Sequence, residues 1–192
     1  MLRYSREYNK FFEDFSTEDE NLAVPIKIYG NYNYNKLELE WNEFLPMPWS
    51  YKHALSMNLQ GGYIDRPVDS FFNFFAGGLV GVRGYPFYSI EGRKKLIARF
   101  AYRFPVFSEW QKSLLHLTTD QFYLGGFFDM GNAFNGDLDF ADFKRSAGID
   151  ARFKLFSFYG FPTALSVQAA YSLDEHINRD DYTGTSYRYG NE

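Results

Sequence analysis

Arg83 is the one charged side chain in a glycine-punctuated aromatic stretch, Phe-Asn-Phe-Phe-Ala-Gly-Gly-Leu-Val-Gly-Val-Arg-Gly-Tyr-Pro-Phe-Tyr, that fills residues 72 to 88. A guanidinium in apolar surroundings does one kind of chemistry well, a bidentate charge-assisted pair with a carboxylate. The glycines Gly77, Gly78, Gly81 and Gly84 allow positive φ and close approach of backbone to backbone. A stretch this apolar would be an aggregation hazard on an open surface. It is therefore expected to fold inward as a plug or clasp, and the competing reading is that Arg83 merely caps a surface turn.

Little else in the chain could run a reaction. His53, His116 and His176 are scattered without metal-ligand spacing and read as surface or interface histidines. Cysteine is absent, which excludes disulfides, thiolate metal sites and cysteine nucleophiles. Gly78-x-x-Gly81-x-x-Gly84 lacks the βαβ setting of a dinucleotide fingerprint, and no Gly-Lys-Ser/Thr follows for a phosphate loop. There is no Gly-x-Ser-x-Gly elbow. The expectation is a protein that is not an enzyme, with no catalytic residue, no metal and no cofactor.

The elements around the loop decide what it plugs. Aromatic residues make up 21% of the 192 residues, yet mean hydropathy is -0.41, so apolar side chains are interleaved with polar ones. Interleaving is the mark of strands. No apolar run reaches the roughly 18 residues of a transmembrane helix, whereas a membrane strand needs only about 9 to 11 alternating residues. A net charge of -4 gives no basic field for nucleic acid. The start, Met-Leu-Arg-Tyr-Ser-Arg-Glu-Tyr, has no apolar signal-peptide core, which points to a cytosolic chain or a piece of a longer one.

Clean alternation runs through 93–105, where Leu96, Ala98, Phe100, Tyr102 and Phe104 oppose Arg93, Lys95, Arg99, Ala101 and Arg103. It recurs at 119–131, with Asp129 on the mixed face, at 145–155, and at 163–173, where Leu165, Val167 and Tyr171 oppose Ser166, Gln168 and Ala170. Looser strands are expected around 55–60, 36–44 and 2–12. Residues 24–34 either extend the strand at 36–44 or form another, because the apolar phase shifts near Asn35 and suggests a bulge. Short turns at 47–50 and 159–162 alternate with long connections at 64–92 and 132–143, as in an antiparallel meander. The acidic clusters at 13–20 and 174–181 read as solvated loops.

Such strands suit either a soluble barrel with an apolar interior or a membrane barrel with an apolar exterior. The small and polar second face at 163–173 resembles a crowded lumen wall, and Trp41, Phe104, Phe122 and Tyr171 lie near strand ends, as interfacial girdles do. The pattern favours the membrane barrel. Arg99, Arg103, Arg152 and Lys154 would then face the lumen, as an anion-attracting wall or as balancing charge.

At this point a resemblance is visible. Val82-Arg83-Gly84-Tyr85 after Gly77-Gly78, then Tyr102-Arg103-Phe104-Pro105, Phe127-Phe128-Asp129-Met130-Gly131 and Ser146-Ala147-Gly148-Ile149, in this order, resemble the C-terminal barrel of the bacterial surface-antigen superfamily, which includes BamA- and TamA-type assembly factors. The resemblance implies a sixteen-strand outer-membrane barrel whose Val-Arg-Gly-Tyr loop folds into the lumen, with Arg83 paired to Asp129. Asp129 also lies on the non-lipid face, where a confined charge needs a partner. Relatives often carry a glutamate as a second acceptor where this chain has Ala101, so that contact is expected to be missing.

The resulting expectation is an all-β, antiparallel transmembrane barrel, partial, with about seven strands of a larger barrel and a long inward-folded loop at 64–92. Residues 1–192 would be the C-terminal part of a surface-antigen barrel in the bacterial outer membrane, cut at both ends. Its expected partners are outer-membrane lipid, client or secreted polypeptides, and the missing barrel half and N-terminal domains of the same protein. The expected function is outer-membrane protein assembly or protein translocation. Two other readings stand beside it: a barrel that anchors a lipase-like or propeller domain, and a soluble β-barrel that binds an apolar ligand.

Overall fold

Two-residue alternation of apolar and polar side chains becomes long antiparallel strands. The computed structural model describes residues 1–10, 31–68, 70–108, 112–158, 160–179 and 185–190. Its elements are β1 (Leu2–Lys10), β2 (Asn31–Met47), β3 (Ser50–Ile64), β4 (Phe74–Phe75), β5 (Glu91–Gly92), β6 (Lys94–Ser108), β7 (Ser113–Leu114), β8 (Leu117–Phe134), β9 (Lys144–Ser157), β10 (Phe161–Ser172), β11 (His176–Arg179) and β12 (Ser186–Tyr189). The main sheet is a meander in the order β1-β2-β3-β6-β8-β9-β10, with β7 paired to β8. Among the described residues it is open, with β1 and β10 each paired on one side only. The strands β6, β8, β9 and β10 have 15, 18, 14 and 12 residues, enough to cross a bilayer, which takes about 9 to 11 tilted residues.

The two faces of the sheet are unlike. On one, Trp41, Leu124, Phe128, Ile149, Leu165, Val167 and Tyr171 stand exposed, Ile149 at 67% and Val167 at 59%. On the other, Ile97, Phe127, Asp129, Ser146 and Asp150 are buried. The segment between β3 and β6 covers that second face. A soluble barrel would bury the apolar face and wet the polar one; here the polar face is packed and the apolar face is bare, the arrangement of a membrane barrel.

Two small cores hold the covering segment. Ala76, Val82, Tyr85 and Ile90 of the loop pack with Ile97 of β6 and Ala133 of β8. Phe74 and Val68 pack with Tyr34 of β2 and Ile64 of β3. Gly62 makes room for this second core, since a Cβ there would lie 2.7 Å from the Phe74 ring.

Two expectations need correction. The β1–β2 register runs from Asn31 to Leu39 without a slip at Asn35, so no bulge lies there. Tyr34 changes the apolar phase because it is an inward aromatic, while the strand keeps its step and Asp65 pins Asn35 through its backbone N (2.8 Å) and Nδ2 (2.7 Å). Residues 24–30 lie outside the described residues. The irregularities fall instead at Pro46/Met47, Pro105/Phe107 and Thr119/Gln121, two of them at prolines, which cannot donate to a ladder. Finally, the acidic segment after residue 173 is no plain loop, because β11 pairs with β12 as a hairpin; the acidic segment at 13–20 lies outside the described residues.

Candidate functional site

The wall beneath the loop is built by register. Along β6 and β8, Arg99 stands opposite Asp129, Ala101 opposite Phe127 and Arg103 opposite Gly125. On the other side of β8, Asp129 pairs with Ser146, Phe127 with Gly148 and Gly125 with Asp150. All these side chains share the inner face because they keep the same two-residue step. Gly148 is needed for contact: a Cβ there would come within 2.1 Å of the Ala169 carbonyl oxygen and 2.4 Å of the Phe127 ring. The ring therefore lies down over Gly148.

Arg83 arrives from above. Its Nε donates to Asp129 Oδ2 at 2.6 Å, its Nη2 to Oδ1 at 2.7 Å, and its backbone N to Oδ2 at 3.2 Å. The guanidinium carbon sits 3.5 Å from the centre of the Phe127 ring, a cation–π contact in a dry setting. The side chains of Arg83 and Asp129 are 5% and 0% exposed. Breaking one side of a buried pair of this kind costs about 3–5 kcal/mol, because the remaining charge is left without compensation. No second carboxylate reaches Arg83 from position 101, which is alanine; the face of Phe127 lies against the guanidinium.

The loop turns tightly to present Arg83. Val82 N donates to Ala76 O (2.6 Å) and Gly78 N to Tyr85 O (2.9 Å), with a bridge between Gly77 and Val82. Gly84 holds a φ of +94°, and its carbonyl accepts from Ser172 Oγ at 2.7 Å. The Tyr85 hydroxyl lies 2.7 Å from Asp174 O and 3.1 Å from Arg145 O, and accepts from Asp174 N at 3.2 Å. The ends of β9 and β10 thus grip the loop beside the ion pair.

The β11–β12 hairpin completes the enclosure. Tyr189 packs on the loop core, and the His176 ring nitrogen Nε2 contacts the Ser89 carbonyl. Burial holds the His176 pKa below its ordinary value, against the pull of that carbonyl. Arg145 pairs with Asp174 through Nη2–Oδ1 (2.7 Å) and Nε–Oδ2 (3.0 Å), and this hydrogen bonding keeps the Asp174 carboxyl below the usual range.

The basic residues read from the sequence lie on the inner wall, each with its own partner. Arg103 Nε donates to Asp150 Oδ2 (2.9 Å) and Arg152 Nε to Ser166 Oγ (3.1 Å). Arg99 Nη1 donates to the Val80 carbonyl at the loop tip (3.3 Å). Sequence reasoning did not single out Phe127, Gly148, Asp150 or Ser172 as site residues. The signal for Asp150 was available: it shares the alternation phase of Arg152 and stands two strands from Arg103, across a glycine, Gly125.

Beside the loop tip an open recess of about 550 Å³ borders Val80, with Glu38, Glu40, Asn42, Asn58, Gln60, Arg99 and Arg103 on its inner wall. Among the described residues no group of three or more His, Cys, Asp or Glu could hold a metal ion.

Residues 17–188 match the Omp85 superfamily domain. The chain belongs to the Omp85 superfamily. This is the outer-membrane barrel superfamily of BamA- and TamA-type proteins, and the antiparallel meander with an apolar outer face is the corresponding part of an Omp85 barrel. A search of curated protein sequences returns no match.

Proposed function

We propose that this Omp85 chain is part of a barrel that assembles or translocates proteins at the bacterial outer membrane, without catalytic chemistry of its own, and that the Arg83 loop is the clasp of its lumen. The sidedness of the sheet carries this reading. A long loop and a buried ion pair occupy the polar face, while the apolar face is left for lipid. Connections on the outer side of such barrels are the longer ones, which argues for loop 64–92 and the β11–β12 hairpin at the external mouth and for the β2–β3 and β9–β10 connections on the periplasmic side.

The partners follow from the surfaces. Lipid covers the outer face. Unpaired strand edges do not persist in hydrocarbon, so the free edges of β1 and β10 call for further strands of the same barrel. The polar recess beside Val80 gives an extended polypeptide backbone donors and acceptors on one wall. Depleting the protein in its host tests the reading: levels of other outer-membrane proteins, or of secreted polypeptides, should fall. Unchanged levels of both, with the protein itself found in the outer membrane, would refute the assembly and translocation roles.

A further inference from the structure

Asp129 has two claimants on the inner wall. Arg99 stands directly opposite it in the β6–β8 register, and so stays within reach whatever the loop does. Arg83 reaches it only when the loop is docked. In the docked state Arg83 takes both carboxylate oxygens, and Arg99 Nε is held off at 3.8 Å from Oδ1. That Nε is buried and has no hydrogen-bond partner. The next arginine along β6, Arg103, is engaged with Asp150 and does not compete.

A buried N–H with no partner is costly, and its placement beside a carboxylate already taken needs a reason. We propose that Arg99 is the standby partner of Asp129: when the loop withdraws, the Arg99 guanidinium closes on the carboxylate that Arg83 vacates. The proposal rests on the reading of the loop as a releasable clasp. Withdrawal would otherwise leave the Asp129 carboxylate without a counter-charge on a confined wall. The loop tip couples the two events, since the Val80 carbonyl that Arg99 Nη1 bonds in the docked state leaves with the loop and frees the guanidinium to move. This chain sets two arginines against one acid, so Asp129 keeps a counter-charge with the loop in or out.

The test is a sign. Hydrogen exchange is read at the Arg83 amide, which donates to Asp129 Oδ2 and so reports docking to the wall, in purified protein in detergent with no client present. Arg99→Gln keeps a donor for Val80 but removes the standby charge. Exchange at Arg83 should slow on the order of tenfold, because the withdrawn state loses its stabilising cation, and Arg99→Lys should return it to the wild-type rate. If Arg99 merely holds the loop down, Arg99→Gln will leave exchange unchanged or speed it, and the proposal falls. It falls equally if Arg99→Lys is as slow as Arg99→Gln. Should Arg99→Gln fail to insert, a structure of Arg83→Ala decides: Arg99 within hydrogen-bonding distance of Asp129 upholds the proposal, and Arg99 still near 3.8 Å overturns it. None of these readouts depends on client transport, so the function proposed above can fail separately.

Discussion

The ring of Phe127 lies where a Cβ of Gly148 would be, 2.4 Å from that position, and on this bed it offers its face to Arg83 at 3.5 Å. Gly148→Val must push the ring up into the guanidinium or move the Ala169 carbonyl. The expected cost is about 1–3 kcal/mol, as for overpacking in general, read as a lower midpoint of heat-modifiable gel mobility. Gly126→Ala on the outer face is the control, since its nearest neighbour would be 3.9 Å away. Equal midpoints for both variants would show that the ring does not depend on the glycine.

Asp129→Ala should be the more damaging half of the central pair. It leaves two guanidinium groups beside an empty wall, at about 3–5 kcal/mol, whereas Arg83→Ala leaves Asp129 with Arg99 at hand. A double-mutant cycle should give a coupling of at least about 1 kcal/mol between the two positions. Strict additivity in urea unfolding from micelles would contradict a shared interaction.

Removing the Tyr85 hydroxyl tests the grip at the strand ends. Tyr85→Phe leaves Asp174 N without its acceptor and should cost about 1–2 kcal/mol. Faster proteolysis of the segment after residue 173 is the expected readout, with the Arg83 amide still protected. Loss of protection at Arg83 as well would mean that the two contacts are one unit.

Acid should loosen the outer hairpin in two steps. The His176 pKa is depressed by burial, so the unfolded state binds the proton more readily. Stability is then full above about pH 6.5 and declines as pH falls through that value toward the folded one. The Asp174 carboxyl is also lowered, chiefly by its hydrogen bond from Arg145, and its contribution persists until pH falls below about 3.8–3.9. Exchange protection of β11–β12 between pH 7 and 5 measures the first step. His176→Gln should abolish it while leaving the second.

Ile149 and Gln168 test the sidedness of the sheet. An arginine at Ile149, near the middle of β9 on the bare face, should cost about 2–4 kcal/mol in lipid. An arginine at Gln168 on the opposite face of β10 should cost far less. Equal tolerance in vesicle refolding would mean that the bare face does not meet hydrocarbon.

The inner wall was legible in the sequence because a strand writes its two faces in alternate letters. Asp129, Arg99 and Arg103 could be assigned to one face by counting, and Arg83 stood out as a lone charge among glycines and aromatics. The grip on Tyr85 was not legible, because its partners Arg145 and Asp174 come from strand ends far along the chain and bond through backbone atoms that any residue carries. The hairpin after residue 173 was hidden by its acids, which suggested solvent, although Asp174 and Glu175 are neutralised by Arg145 and Arg188. The supposed bulge at Asn35 shows the limit of reading phase from hydrophobicity alone, since an inward tyrosine alters the apolar rhythm and leaves the backbone rhythm untouched.

The central ion pair also checks the work of assembly. A one-residue slip of β8 against its neighbours would turn every side chain of that strand to the other face, carrying Asp129 out toward lipid and Phe128 inward to the place of Phe127. Arg83 would then meet an apolar ring and no acceptor, and the loop could not seat. Only the sheet with correct pairing on both sides of β8 accepts its plug, so seating of the loop depends on strand register, and a sheet one residue out of register would leave the loop undocked and the mouth open.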